Sequence, residues 1–123
     1  MVGLVIVSHS RALAEALLVL TRQMASGDLA IAVAAGVGPD REEIGTDAVE
    51  ISEAIQAVYS DDGVVVLMDL GSAILSAQMA VDLLPPEIAM KVRFCAAPMV
   101  EGAISAAVQI SLGADIETVC AEA

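Results

Sequence analysis

The chain has 123 residues, 58% of them hydrophobic, with one Tyr, one Phe and no Trp; this supplies an aliphatic core, and no uninterrupted apolar run reaches the roughly 18 residues of a membrane span. Seventeen Asp and Glu against five Lys and Arg give a formal charge of −12, which argues against nucleic acid, whose binding draws on Lys and Arg contacts to phosphate, and against anionic membranes. The same charge steers a partner with a basic face toward this surface, unless it serves solubility alone.

Met1-Val2-Gly3 has no basic n-region and the apolar run after it is too short for a signal peptide, so a cytoplasmic chain is expected. Residues 3–7 read as a buried strand. The next segment places Leu13, Leu17, Leu20 and Met24 on one stripe and Arg11, Glu15 and Arg22 on the opposite face, the pattern of an amphipathic helix, ended by Ser26-Gly27. Leu29 to Ala35 reads as a second strand, and Gly36 to Arg41 as a loop. Asp47 and Glu50 have capping-box spacing, with Thr46 an equal candidate for the N-cap. They precede the stripe Ala48, Ile51, Ile55, Val58, so a helix is expected over 46–59.

Asp61-Asp62-Gly63 is a turn, and Val64 to Met68 is apolar on both faces, as a central parallel strand must be. Gly71-Ser72 opens an Ala-rich helix that runs to Leu84 and is stopped by Pro85-Pro86. Val92 to Ala96 is a fourth strand. Pro98 to Gly102 is a loop or first turn, Ala103 to Leu112 a helix with Gly113 as its cap, and a short capped segment follows from Asp115. Cys95 and Cys120 have neither metal-ligand spacing nor the density of a disulfide scaffold, and are read as free thiols.

Strands alternating with helices imply an α/β fold, residues 1–123 forming one domain: a doubly wound, mainly parallel four-stranded sheet of order 2-1-3-4 with helices on both faces. Chemistry in such sheets sits at the carboxyl ends of the strands. The segments found there are Ser8-His9-Ser10, Gly36 to Asp47, Asp69 to Ser72 and Pro98 to Gly102. The opposite connections hold ordinary turn residues.

His9 is the only histidine. A lone histidine is commonly an unremarkable loop or core residue, yet at a strand-to-helix turn it is also the side chain suited to carry a phosphoryl group, because neutral imidazole is nucleophilic near neutral pH. In the 2-1-3-4 order His9 and Asp69 end adjacent strands about 4.8 Å apart. Asp69 either caps its own turn or accepts a hydrogen bond from Nδ1, which would leave Nε2 as the nucleophile. The helix after His9 directs N–H groups at the same edge, with Ser10, Thr46, Gly71 and Ser72 as further phosphate-stabilising donors. Arg11 is read as a solvated helix residue in preference to a phosphate clamp. Met99 and Val100 form a candidate apolar docking patch with Glu101 as a rim charge. Gly36-Val37-Gly38 lacks the later glycine of a dinucleotide loop.

Four segments, Leu4 to Ser10, Ile44 to Asp47, Leu67 to Ala73 and Ala96 to Gly102, resemble in order the phosphotransferase subunit of phosphoenolpyruvate-dependent dihydroxyacetone kinase. The N-terminal domain of that family is similar to the mannose-type IIA domain of the sugar phosphotransferase system. The resemblance maps the phosphorylated histidine onto His9 and its supporting aspartate onto Asp69. It implies a relay in which the phosphocarrier protein HPr charges His9, and His9 passes the phosphoryl group to ADP in the nucleotide-binding kinase subunit. The resulting ATP then phosphorylates dihydroxyacetone held in a third subunit. It implies no cofactor or metal of the chain's own, and a homodimer. Mannose-type domains exchange an additional strand between subunits, and nothing after Gly113 reads as a strand, so a dimer would use a sheet edge or apolar helix faces. Some members of the family carry further domains, so the chain is either a single-domain member or a piece of a longer one. Two rivals stay open: a mannose-type IIA domain serving a sugar permease, and a flavodoxin-like module that binds a ligand without covalent chemistry.

Overall fold

The structure is a computed structural model describing residues 1–123. Its elements in chain order are β1 (Gly3–Ser8), α1 (Arg11–Met24), β2 (Ile31–Ala35), α2 (Ala48–Val58), β3 (Val64–Met68), α3 (Ala73–Asp82), α4 (Pro86–Ala89), β4 (Val92–Phe94), α5 (Met99–Ser111) and α6 (Ile116–Glu122). All strand pairs are parallel and the order is β2-β1-β3-β4. The expected α/β topology is therefore the observed one. The chain leaves β1 toward one edge and returns beside it as β3, which puts the reversal of strand order between β1 and its two neighbours.

The two central strands explain the layering. Along β1, Leu4 and Ile6 face one layer while Val5 and Val7 face the other, and every residue of the strand is buried. In β3 the same alternation sets Val65 and Leu67 against Val64 and Val66. The first layer packs under α1, α5 and α6, the second under α2 and α3. Gly3 permits the close approach of α2, since a Cβ there would meet the Val58 carbonyl oxygen at 2.3 Å. Register then levels the strand ends. Val7 pairs with Met68 and Ser8 with Ala35, and the Asp69 N–H donates to Val7 O at 3.1 Å.

Several local expectations are revised. On α1 the residues packed against the sheet are Ala14, Leu17 and Thr21; Leu13, Leu20 and Met24 stay 43%, 39% and 59% exposed. The helix carries a wider apolar arc than the sheet uses, and the small Ala14 sets which part sits closest. On α2 the stripe Ile51, Ile55 and Val58 is buried as expected. Asp47 is its N-cap, accepting from Val49 N–H at 2.9 Å, but Glu50 does not reach back to complete a capping box. It accepts instead from Ala35 N–H at 2.8 Å and from Arg11 at 2.8 Å. Pro85-Pro86 ends α3 and also starts α4, because proline fits the first turn of a helix. α5 begins at Met99, four residues before the expected start, with Pro98 at its entrance.

Cys95 and Cys120 are joined in a disulfide, which corrects the expectation of free thiols. The end of β4 and helix α6 bring their Cα atoms to 5.6 Å, within bridging reach. A separation of 25 residues in sequence gave no hint of that proximity.

Candidate functional site

The site is built at the carboxyl ends of β1 and β3. His9 follows the last residue of β1, and the next residue, Ser10, turns the chain into α1 as its N-cap, still extended in its own backbone, its Oγ accepting from Leu13 N–H at 3.3 Å. Asp69 follows β3. Its Oδ1 lies 3.0 Å from His9 Nδ1, and its Oδ2 accepts from His9 N–H at 2.9 Å and from the Ser8 hydroxyl at 2.9 Å. The two side chains are only 18% and 12% exposed. Burial pushes the Asp69 carboxyl upward, but the bonds from the His9 N–H, the His9 ring and Ser8 outweigh it and hold the carboxyl below the ordinary aspartate range.

With Nδ1 facing a carboxylate, the proton of the neutral ring belongs on Nδ1 and the lone pair on Nε2. Ser72 Oγ lies 2.9 Å from Nε2. A serine at the start of a helix ordinarily bonds the helix's own N–H groups; Ser72 makes no such bond with α3, and its hydroxyl is placed to donate to Nε2. The N-termini of α1 and α3 thus both end at the ring, each presenting the positive end of a helix dipole.

Of the other residues singled out in the sequence, Ser72 alone has its side chain on His9 besides Asp69. The Ser10 hydroxyl is occupied as the cap of α1. The Thr46 hydroxyl is paired with Ser76 Oγ at 2.7 Å, although its loop does close over the histidine, Gly45 N–H donating to His9 O at 2.9 Å. Gly71 is exposed, and a Cβ there would meet nothing within 4 Å, so no close approach demands a glycine. Met99 is 7% exposed and belongs to the core; Val100 and Glu101 are exposed. These three line, with Leu13, Leu70, Pro98 and Asp69, a cavity of about 500 Å³ beside the site.

Arg11 is half-buried and held by protein groups, which corrects the expectation of a solvated helix residue. Its guanidinium bonds Ala35 O at 3.1 Å, Glu15 at 3.1 Å and Glu50 at 2.8 Å. Arg41, held at φ 59 in the glycine-rich loop, pairs with Asp47 at 2.8 Å and with Glu50 at 3.4 Å. Both cations of this edge therefore brace α1, β2 and the 36–47 loop against α2. Glu50 is the hub of that bracing, and sequence reasoning placed it only in a helix cap. Ser8 was missed as well; a serine ending a buried strand has no distinguishing pattern until the neighbouring strand is known.

Residues 3–120 match the family model EIIA-man, described as PTS system fructose IIA component. The chain belongs to this family. Among curated members it is 57% identical, over 97% of its length, to the PEP-dependent dihydroxyacetone kinase phosphoryl donor subunit DhaM of Pantoea ananatis, and 54% identical over its full length to the protein of that name in Escherichia coli. It spans about a quarter of those proteins, 25% and 26% respectively. A Listeria innocua relative named PEP-dependent dihydroxyacetone kinase 2, phosphoryl donor subunit DhaM, is 35% identical over 99% of the chain and 96% of its own length. A solved structure described as unknown function protein EF1359 superposes with a TM-score of 0.85 at 29% identity, covering 99% of this chain and 92% of that one. No helix is long and apolar enough to cross a membrane.

Proposed function

We propose that this chain is the phosphoryl donor component of a phosphoenolpyruvate-dependent dihydroxyacetone kinase, carrying a phosphoryl group on His9 Nε2 between two protein partners in the cytoplasm. The observation that carries the reading is the 3.0 Å contact of Asp69 Oδ1 with Nδ1, which puts the ring's lone pair on Nε2. HPr delivers the phosphoryl group: a P–N bond forms at Nε2 as the P–N bond to the donor's histidine breaks, and Asp69 balances the positive charge that develops on the ring. In the second transfer an oxygen of the terminal phosphate of ADP, held in the nucleotide-binding subunit, attacks phosphorus. ATP forms and neutral His9 is regenerated. Both steps are in-line displacements, in which positioning and charge stabilisation do most of the work. The Ser72 hydroxyl turns from Nε2 to a phosphoryl oxygen, and the backbone at Thr46 and Gly71 completes the surroundings, while the Ser10 and Thr46 hydroxyls stay with Leu13 N–H and Ser76.

The site's own cations are committed to carboxylates, and the chain is strongly acidic, so the partners bring the positive charge. Val100 and Glu101 rim the cavity beside the histidine and form the docking surface, with Met99 as its floor. A second copy of the chain covers the outer face of α3. There Leu75, Met79 and Leu83 are 67%, 55% and 57% exposed, and residues 70–81 hold no charge; two chains of −12 approach with least repulsion on such a face.

Reconstitution with enzyme I, HPr and labelled phosphoenolpyruvate tests the relay. Wild-type protein is expected to take up an acid-labile, base-stable label and His9→Ala to take up none; equal labelling of both rejects the assignment. Discharge of the label by the nucleotide-binding subunit with ADP is the expected second step, whereas discharge only by a sugar permease would assign the chain to sugar uptake.

A further inference from the structure

We propose that Ser8 is a positioning residue for transfer at His9, acting through Asp69; the inference rests on the carrier reading above. Ser8 is fully buried at the last position of β1. Its hydroxyl donates to Asp69 Oδ2 at 2.9 Å and accepts from Ser10 N–H at 3.1 Å. One side chain therefore links the carboxylate that touches the ring to the residue that caps α1.

A buried serine needs partners merely to be tolerated in a core, and a nearby carbonyl would serve. Ser8 uses its one proton on Asp69 instead. Oδ2 then receives two donors, the His9 N–H and the Ser8 hydroxyl, and the carboxylate is fixed with Oδ1 toward Nδ1. Without the hydroxyl Oδ2 keeps a single donor, the His9 N–H, and the carboxylate is held less firmly about its terminal torsion, which is broad in aspartate. The Nδ1 proton then loses a fixed acceptor. The tautomer with its proton on Nε2 gains population, and that form has no lone pair where phosphorus must bind. Ser8 thus sets which ring nitrogen is the nucleophile without touching the ring.

The single histidine makes this directly measurable, because every imidazole signal in a ¹⁵N–¹H spectrum of the chain belongs to His9. In wild-type protein the neutral ring is expected to carry its proton on Nδ1. In Ser8→Ala the ratio of the two tautomers is expected to move several-fold toward Nε2–H, with label uptake from HPr slowed on the order of tenfold, the fold-change of one hydrogen bond to a charged group. Ser8→Thr, which keeps the hydroxyl, restores both. If Ser8→Ala does not fold, Ser8→Cys gives the same reading, since a thiol of similar size is a weak donor. A wild-type tautomer ratio in a folded Ser8→Ala or Ser8→Cys variant overturns the role of Ser8 even where label is taken up. Wild-type protein that takes up no label overturns the carrier reading whatever the ring spectrum shows.

Discussion

Asp69 accepts three hydrogen bonds from two neighbouring residues, and its ionisation is coupled to folding through them. Its carboxyl is held below the ordinary range in the folded chain. The stabilisation it contributes is therefore complete above the unfolded value near pH 4 and is lost as pH falls through the lower folded value. Asp69→Asn removes that dependence. The stability advantage of wild type over Asp69→Asn, measured by urea unfolding, should be present at pH 5 and shrink toward pH 2, while a gap constant over that interval would show that the bonds do not favour the anion. Phosphoryl uptake by the variant should slow with the fold intact. At this scale His9 and Asp69 were legible, because a polar residue directly after a buried strand in an alternating chain has only one edge on which to lie. Ser8 and Glu50 were not. Their importance rests on bonds to residues 61 and 15 positions away, Asp69 and Ala35, and no spacing rule connects them.

Among the elements, α1 and α3 show how periodicity identifies a helix better than it identifies the face that packs. The stripe that identifies α1 includes Leu13, Leu20 and Met24, yet these stay outward, and α3, legible from its alanine content and the prolines after it, buries Ala73, Ala77 and Ala80 while exposing Leu75 and Met79. Small residues let a helix sit close to a sheet, and the larger apolar ones then fall on its outer side. An apolar outer face on a folded chain calls for a partner. If a second copy covers α3, Met79→Glu places like charges across the two-fold contact, and sedimentation should show a shift from dimer to monomer. A monomeric wild type, or a dimer unchanged by Met79→Glu, would remove α3 from the interface. Asp47 tells a similar story in the 36–47 loop: the sequence narrowed the cap to Thr46 or Asp47, whereas the choice of Asp47 and its second role as the partner of Arg41 required the loop to fold back.

At the scale of the whole molecule, the disulfide ties α6 to the end of β4 and so closes the sheet's β4 side under the C-terminal helix. A cross-link spanning 25 residues contributes about 3 kcal/mol through the restricted unfolded chain. Replacing Cys95 and Cys120 together by Ser should lower unfolding stability by about that amount in denaturant titration, and a loss below about 0.5 kcal/mol would mean the bridge is not closed in solution. The sequence by itself determined the alternation of strands and helices, the strand order, and the edge on which His9, Asp69 and Ser72 must gather. The alternation follows from periodicity and punctuation, and the order from the doubly wound arrangement that such an alternation commonly takes, all local or topological constraints. Tertiary structure alone decided that Cys95 meets Cys120, that Arg11 and Arg41 are spent on Glu50 and Asp47, and that the Ser8 hydroxyl holds Asp69 against the ring. Apart from the pair Arg41 and Asp47, which needs the 36–47 loop to fold back, these are contacts between segments distant along the chain, set by strand register and helix rotation, and neither quantity is written in any single stretch of residues.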